Sequence, residues 1–176
     1  MSLSSHQRPH RGATDVWLTP PHMIAALGPF DLDPCAAVDQ PWRTATTQYT
    51  IEDDGLSQDW HGFAWVNPPF GPDAETWLMR LADHGNGIAL VPARTETRWF
   101  VRTVWDRADG VLFLHGRPHF HHADGTRGYA NSGAPIVLIA YGPEAVERLR
   151  SCSLPGTFAT WPRAAADTTE AGESDE

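Results

Sequence analysis

Four consecutive residues, Asn67-Pro68-Pro69-Phe70, place an amide, a rigid backbone and an aromatic ring directly after the apolar residues 63–66. Because proline fixes φ and has no N–H, the two prolines hold the carbonyl oxygens of Asn67 and Pro68 outward as acceptors. The Asn67 side chain adds another acceptor oxygen. Phe70 offers a flat ring on which a nucleobase can stack, an interaction worth about 1–3 kcal/mol per base. These residue types suit the binding of a planar ring that carries an amino group.

The exocyclic amino group of adenine needs such acceptors before it can react with an electrophile. Its lone pair is delocalised into the ring, and two acceptors on its two N–H bonds pull the nitrogen towards tetrahedral geometry. The lone pair is then localised without a strong base. The alternative interpretation is a tight proline turn with a capping asparagine. The strand before the motif and the aromatic residue after it favour a reactive site.

Apolar runs alternate with helical patterns through the middle of the chain. Strands are predicted at residues 30–33, 46–52, 63–66, 88–91, 111–114 and 135–141, and helices at residues 20–27, 73–84, 95–108 and 143–150. Thr19 is the predicted N-cap of the first helix, with Pro20 at its first position. This alternation predicts an α/β fold with a mostly parallel central sheet and helices on both faces. Ligands bind such sheets at the carboxyl ends of the strands.

The composition is that of one soluble globular domain. The chain has 176 residues, of which 41% are hydrophobic, 13 are basic and 22 are acidic. No apolar run approaches the roughly 18–20 residues of a membrane-spanning helix, and the start lacks the pattern of a secretory signal. We therefore expect a cytoplasmic protein without a membrane partner. The two cysteines, Cys35 and Cys152, form no CxxC pair and suggest no disulfide framework.

Both ends are predicted to be disordered, around a single domain at residues 14–163. Residues 1–13 are polar, and residues 164–176 contain five acids and no base. Without that acidic tail the chain has 13 basic and 17 acidic residues, a net charge of −4 instead of −9. The charge therefore argues only weakly against a nucleic-acid partner. All 13 basic residues are arginine, the better residue for forked contacts to phosphates or bases.

Six short segments carry a family resemblance. In chain order they are Trp17-Leu18-Thr19-Pro20, Phe30-Asp31-Leu32-Asp33-Pro34-Cys35-Ala36, Asp54-Gly55-Leu56 with Trp60, Asn67-Pro68-Pro69-Phe70, Pro92-Ala93-Arg94-Thr95 with Trp99-Phe100, and Gly116-Arg117 with Phe120. Together they resemble the phage-type, Dam-like DNA N6-adenine methyltransferases over about residues 14–142. The Asn-Pro-Pro-aromatic motif alone also occurs in RNA and protein-glutamine methyltransferases, so the resemblance depends on the whole set.

The resemblance implies a Rossmann-like fold that uses S-adenosylmethionine, an activity on DNA, and a phage or prophage origin. Asn67, Pro68, Pro69 and Phe70 match the catalytic motif that holds the target adenine. Two alternatives stay open. One is a methyltransferase acting on RNA or on a protein amide, because the motif presents acceptors to any planar NH2 group. The other is a non-catalytic nucleotide- or DNA-binding relative of the fold.

The cofactor contacts are expected in four segments. Thr19-Pro20 resembles the motif that receives the methionine end of S-adenosylmethionine, and Asp33-Pro34-Cys35-Ala36 resembles the first cofactor motif. Here the usual Ala-Gly-x-Gly continuation is replaced by Ala36-Ala37-Val38-Asp39, and these side chains do not allow the close backbone approach of glycine. A solvated strand end is the alternative for Asp31 and Asp33. Asp54 matches the family's acidic residue that binds the ribose or adenine of the cofactor. Asp53 is equally well explained as a solvent-exposed turn residue. Asn67 completes the set of expected cofactor contacts.

DNA contacts are expected from Arg94, Thr97, Trp99, Arg117 and His119. A polar insertion at residues 115–132, between two apolar strands, is the predicted recognition segment. Arg98 and Arg102 lie one turn apart on a predicted helix, where a solvated face is equally plausible. Although His119 and His121 share a face in an extended segment, no third ligand accompanies them, so no metal is predicted. The oligomeric state is not predictable from these residues.

Overall fold

The computed structural model describes residues 16–71 and 73–161, in which seven strands form one sheet in the order β2-β1-β3-β4-β6-β5-β7. The strands are β1 (Leu32–Asp33), β2 (Thr47–Gln48), β3 (Ala64–Val66), β4 (Gly87–Pro92), β5 (Gly110–Leu114), β6 (Ile136–Tyr141) and β7 (Gly156–Ala159). The helices are α1 (Pro21–Leu27), α2 (Ala74–His84), α3 (Arg98–Phe100), which continues as a π-helical segment (Val101–Trp105), and α4 (Pro143–Ser151). The predicted tails at residues 1–13 and 164–176 lie outside the described residues.

The sheet is mixed, and the predicted mostly parallel arrangement is not confirmed. The pairs β1–β2, β1–β3 and β3–β4 are parallel, whereas β4–β6, β5–β6 and β5–β7 are antiparallel and have the longer ladders. Parallel neighbours need a crossover, usually a helix, but the segment between β5 and β6 contains no helix and returns the chain antiparallel. An apolar run shows that a strand is buried on both faces, and this burial does not set its direction.

Helices cover both faces of the sheet because successive strand residues point to opposite sides. In β4, Ile88 and Leu90 belong to the core that includes residues of α1 and α4, while Ala89 and Val91 belong to the core that includes residues of α2 and the π-helical segment. All four side chains are fully buried. The alternation of layers follows from the apolar pattern of β4 and explains why this strand contains no polar residue.

Several elements differ from their predicted bounds. The helix predicted at residues 95–108 begins only at Arg98, because residues 94–97 form a turn in which the N–H of Thr97 donates to the Arg94 carbonyl at 2.9 Å. The strand predicted at residues 46–52 is limited to Thr47–Gln48. Strand β7 has no counterpart in the prediction, since its side chains are only partly buried at the sheet edge. No helix in the described part of the chain is long and apolar enough to cross a membrane.

The strands that are followed by polar motifs have their carboxyl ends at the same edge of the sheet. Strands β1 to β4 are mutually parallel, and β5 runs the same way as β4 because each is antiparallel to β6. Asp33 ends β1, while Asn67 and Arg94 follow β3 and β4, and Arg117 follows β5. This carboxyl edge is therefore where the candidate site is built.

Candidate functional site

The Asn67 side chain has a defined orientation at the end of β3. Its Nδ2 donates a hydrogen bond to the main-chain carbonyl of Trp17 at 3.0 Å. A carbonyl oxygen can only accept, so the NH2 end of the carboxamide faces Trp17 and the Oδ1 end is left to accept from another group. The acceptor predicted from the sequence is thus held by a residue 50 positions earlier in the chain.

The rest of the motif supports an exposed aromatic ring. Pro68 is buried, Pro69 is exposed, and the Phe70 side chain is 44% exposed. The Phe70 ring meets the buried Phe120 ring edge-on, with centroids 6.2 Å apart and planes at 75°. This contact supports Phe70 from one side, while its exposed surface is available to a planar ligand.

The loop after β1 is organised around the buried carboxyl of Asp33. It accepts a hydrogen bond from the main-chain N–H of Cys35 at 3.1 Å and another from the Thr44 hydroxyl. Burial raises the pKa of Asp33 to about 6, although the bonds from Thr44 and Cys35 act in the opposite direction. The Asp33 side chain therefore orders the loop after β1 from inside, and the solvated strand end considered as an alternative does not apply to it.

Cys35 connects this loop to the Asn67-Pro68-Pro69-Phe70 motif. Its sulfur accepts a hydrogen bond from the main-chain N–H of Asn67, and burial, followed by the charge of Asp33, raises the pKa of the thiol well above its usual value. The thiol is therefore protonated at neutral pH. Ala36 is buried, and its N–H donates to the carbonyl of Tyr49 at 2.9 Å. The Ala36 amide is already used within the protein, unlike the open glycine backbone of the usual motif.

Thr19 and Pro20 are both buried just before α1. The helix begins at Pro21 and has no side-chain cap, so the predicted N-cap role of Thr19 is wrong. Two consecutive prolines shift the helix start by one residue, which leaves Thr19 outside the capping position. Its hydroxyl is buried and has no hydrogen-bond partner. Because buried hydroxyls are almost always paired, this one is a candidate contact for a polar ligand.

The two neighbouring acids after β2 have different environments. Asp53 accepts from the N–H and the hydroxyl of Thr50 at 2.8 and 3.0 Å, and the pKa of Asp53 is lowered chiefly by the main-chain bond. Asp53 is thus a turn residue. Asp54 is exposed with a left-handed φ of 50°, and a Cβ on Gly55 would lie only 1.8 Å from the Pro34 carbonyl oxygen. Only glycine fits there, so the Asp54 segment lies directly against the loop after β1.

The side chain of Asp31 also has a structural role. Its carboxylate accepts a hydrogen bond from the N–H of Phe63 at 2.7 Å, immediately before β3. This bond fixes the approach of the chain to β3, the strand that Asn67 follows. The alternative reading of Asp31 as a strand-end residue is consistent with its exposed position.

The insertion at residues 115–132 contains a small hairpin that packs over the carboxyl edge. Gly128 donates to the Phe120 carbonyl at 2.8 Å and His122 to the Thr126 carbonyl at 2.9 Å, around a turn at Gly125. His121 pairs with Leu18 on the other side through two main-chain bonds of 2.8 and 3.0 Å. The insertion is therefore joined to the segment that leads into Thr19.

The predicted DNA contacts at this edge differ in their exposure and in the hydrogen bonds that their side chains make. Arg94 and Arg117 are exposed, and Arg117 reaches the Gly133 carbonyl at 3.4 Å. The Thr97 hydroxyl donates to the Arg94 carbonyl at 2.7 Å, and Trp99 packs against Phe100 with its ring partly buried. These two side chains shape the turn that carries Arg94. They stay predicted DNA contacts.

The remaining basic candidates lie in the insertion, in α3 and in the π-helical segment that continues it. The Nδ1 atom of His119 is buried and has no partner, so it is available to a donor or acceptor from a ligand. Arg98 is exposed, while Arg102 pairs with Glu75 at 3.5 Å on the surface. That pairing fits the solvated face considered for Arg102. Among the described residues, no three His, Cys, Asp or Glu side chains are placed to hold a metal ion.

Three contributors to the site have no role in the sequence prediction. Thr44 bonds Asp33, Trp17 holds Asn67, and Phe120 supports Phe70. Trp17 and Phe120 do lie in the segments that carry the family resemblance, which is the signal that could have found them. No sequence signal marks Thr44, because its contact with Asp33 depends on how the loop before β2 folds back.

Two cavities lie away from the carboxyl edge. One, of about 650 Å³, is lined by Arg107, Glu147 and neighbours at the opposite end of the sheet. The other, of about 500 Å³, lies between α1 and residues 43–46. Neither is lined by Asn67, Phe70 or Asp33. The candidate site is therefore located by the polar groups that lie together at the carboxyl edge, and the two cavities do not mark it.

Comparison with known proteins gives one match. The model of the family described as DNA N-6-adenine-methyltransferase (Dam) matches residues 6–151, which is more than half of the chain. The match spans the Asn67-Pro68-Pro69-Phe70 motif, the loop after β1 and the insertion. No curated protein and no solved structure matches the chain.

Proposed function

The chain belongs to the DNA N-6-adenine-methyltransferase (Dam) family, and from this membership we propose that it transfers the methyl group of S-adenosylmethionine to N6 of adenine at the site around Asn67. The family resemblance predicted from the sequence is confirmed, and with it the activity on DNA adenine. The match gives no support to an RNA, protein-amide or non-catalytic function. The orientation of the Asn67 carboxamide is the observation that carries the assignment of the site.

We assign the target amino group to the acceptors of the catalytic motif. With its NH2 end bonded to Trp17, Asn67 presents Oδ1 to one N–H bond of adenine, and the Pro68 carbonyl accepts from the other. These two bonds would localise the nitrogen lone pair for attack on the methyl carbon, whose bond to sulfur would break as the N–C bond forms and leave a neutral thioether. After transfer, N6 is cationic and acidic enough to release a proton to water. No side chain needs to act as a strong base.

Phe70 holds the target base once it has left the duplex. Extrusion of a paired base costs a few kcal/mol, because stacking and pairing are lost. Stacking on the exposed Phe70 ring recovers about 1–3 kcal/mol of that cost. The edge contact with Phe120 restricts the ring, so little side-chain freedom is lost when the base binds.

The cofactor is assigned to the adjoining loops. When bound, S-adenosylmethionine supplies an electrophilic methyl group on a sulfonium centre. The buried, unpartnered Thr19 hydroxyl fits its polar methionine end, and the exposed Asp54 carboxylate fits its ribose or adenine donors. The buried Asp33 carboxyl and the partly buried Cys35 order this loop. Holding both reactants in fixed positions supplies several kcal/mol of the barrier reduction.

DNA contacts are assigned to Arg94, Arg117 and the insertion at residues 115–132. Both arginines are exposed at the edge that carries Asn67, where their guanidinium groups can approach phosphates, and only one nitrogen of Arg117 is engaged, by the Gly133 carbonyl at 3.4 Å. Thr97, Trp99 and His119 complete the proposed DNA surface. The hairpin of the insertion is the proposed reader of the methylated sequence. A phage or prophage origin is part of the same proposal.

The experiment that tests the proposal separates transfer from cofactor binding. The Asn67→Ala variant is expected to bind S-adenosylmethionine as the native chain does, and to lose methyl transfer to unmethylated DNA. Asn86→Ala is the matched control, because the Asn86 amide also donates to a carbonyl, that of Gly62 at 3.1 Å, but belongs to the opposite end of the sheet. Equal activity of the two variants would contradict the assignment of Asn67.

A further inference from the structure

Trp17 makes contacts with both the catalytic amide and the insertion. Its carbonyl accepts the Asn67 hydrogen bond at 3.0 Å, and its indole ring packs on the His122 ring with centroids 5.0 Å apart at 40°. A Cβ on Gly128 would come within 3.3 Å of the same indole ring. Trp17 is therefore held between the hairpin and the catalytic motif.

The neighbouring backbone strengthens this connection. Leu18 donates to the His121 carbonyl at 2.8 Å and accepts from the His121 N–H at 3.0 Å. These two bonds fix the position of the chain directly after the Trp17 carbonyl. The insertion thus secures Trp17 through its side chain and through the next residue, while the Trp17 side chain itself is 37% exposed.

The Trp17 carbonyl determines which end of the carboxamide meets the target. A carboxamide turned by 180° would direct its NH2 group at the amino group of adenine, where two donors would face each other. The bond to Trp17 opposes that orientation because the turned amide would place Oδ1 against the Trp17 carbonyl. The productive orientation of Asn67 therefore depends on the position of the Trp17 backbone.

We propose that Trp17 is a positioning residue, which orients the Asn67 carboxamide through its carbonyl and is itself held by the hairpin of the insertion. This proposal rests on the proposed role of Asn67 in binding the target amino group. It couples the segment proposed to read DNA to the group that prepares adenine for transfer. A hairpin displaced from Trp17 loosens the catalytic amide as well as the DNA contacts.

The first test compares three single variants at saturating DNA and S-adenosylmethionine. Trp17→Ala removes the ring that the hairpin holds, and kcat is expected to fall by about tenfold, the effect of one lost hydrogen bond. Trp17→Phe keeps a ring and is expected to stay within about threefold of the native chain, and the neighbouring Val16→Ala to be unchanged. Cofactor affinity is expected to be the same in all three. Native kcat in Trp17→Ala would overturn the proposal.

The second test asks whether Trp17 acts through Asn67. In an Asn67→Ser background, where no carboxamide remains to be oriented, Trp17→Ala is expected to reduce the single-turnover rate by less than about twofold. The same tenfold loss in both backgrounds would show a merely structural role and overturn the proposal. Full activity of Asn67→Ser would instead reject the proposed function of the site. Thermal unfolding checks each variant, and Trp17→Leu replaces Trp17→Ala in both tests if the latter does not fold.

Discussion

The hydrogen bond from Thr44 to the buried carboxyl of Asp33 gives a stability prediction that depends on pH. The carboxyl has its pKa raised from 3.8 to about 6 by burial, so the folded chain binds this proton more tightly than the unfolded chain. The contribution of Asp33 to stability is therefore complete below about pH 4 and is lost as pH rises to about 6. One pKa unit corresponds to about 1.4 kcal/mol, so the whole effect is about 3 kcal/mol.

Thr44→Val removes the hydroxyl donor and keeps the shape of the side chain. At pH 8 Asp33 is charged, and losing a hydrogen bond to a charged group is expected to cost about 2 kcal/mol of unfolding free energy. At pH 5 the carboxyl is mostly protonated, and the expected cost falls to about 1 kcal/mol. The variant is thus more destabilised at the higher pH, because the lost donor stabilises chiefly the charged form.

Urea unfolding at pH 5 and pH 8 measures both values. Thr46→Val is the matched control, since the Thr46 hydroxyl lies 3.5 Å from the Phe30 carbonyl and Thr46 is exposed. It is expected to change the unfolding free energy by less than about 0.5 kcal/mol at either pH. An equal effect of Thr44→Val at both pH values, or none at all, would refute the account of Asp33 as a buried carboxyl held by Thr44.

Three further predictions concern the site. Phe70→Ala is expected to lower kcat/KM for duplex DNA by about 10- to 100-fold, because the stacking ring is lost. Phe70→Tyr keeps the ring and is expected to be close to native. Equal losses in the two variants would exclude stacking. Arg117→Ala and Arg94→Ala are each expected to reduce the slope of log DNA affinity against log salt concentration by about 1. The control Arg150→Ala, on α4, is expected to leave this slope unchanged. An unaltered slope in Arg117→Ala and Arg94→Ala would exclude phosphate contacts by these residues. Thr19→Val removes an unpaired buried hydroxyl and is therefore expected to raise the unfolding free energy by about 1 kcal/mol. The same variant is expected to bind S-adenosylmethionine more weakly in titration calorimetry. Unchanged affinity would show that Thr19 does not contact the cofactor.

The buried strands and most helices could be predicted because burial leaves a periodic apolar pattern. Residues 63–66 and 135–141 are apolar runs, and the structure makes them β3 and β6. The direction of β6 could not be predicted, because antiparallel strands covered on both faces have the same apolar pattern as parallel ones. The helix predicted from residue 95 begins three residues later, at Arg98, because its apolar stripe starts only at Phe100 and the polar residues 95–97 give no signal of the turn that hydrogen bonds from Thr97 to the Arg94 carbonyl stabilise.

The residue types of the candidate site could be predicted from the sequence, whereas the contacts that position them could not. Asn67 and Phe70 are only three residues apart in the sequence, so their residue types indicate an acceptor near an aromatic ring. The groups that position them come from distant segments, Trp17 for Asn67 and Phe120 for Phe70. The spacing of residues along the chain contains no information about such contacts. The same reason hides the bond between Thr44 and Asp33, which joins a loop to a strand end.

The most direct test of the central claim is transfer of labelled methyl from S-adenosylmethionine to unmethylated DNA, with identification of the methylated nucleoside. The account predicts N6-methyladenine from the native chain and from Asn86→Ala, and none from Asn67→Ala although that variant still binds the cofactor. Transfer by Asn67→Ala at the native rate, or a methylated product other than N6-methyladenine, would contradict it.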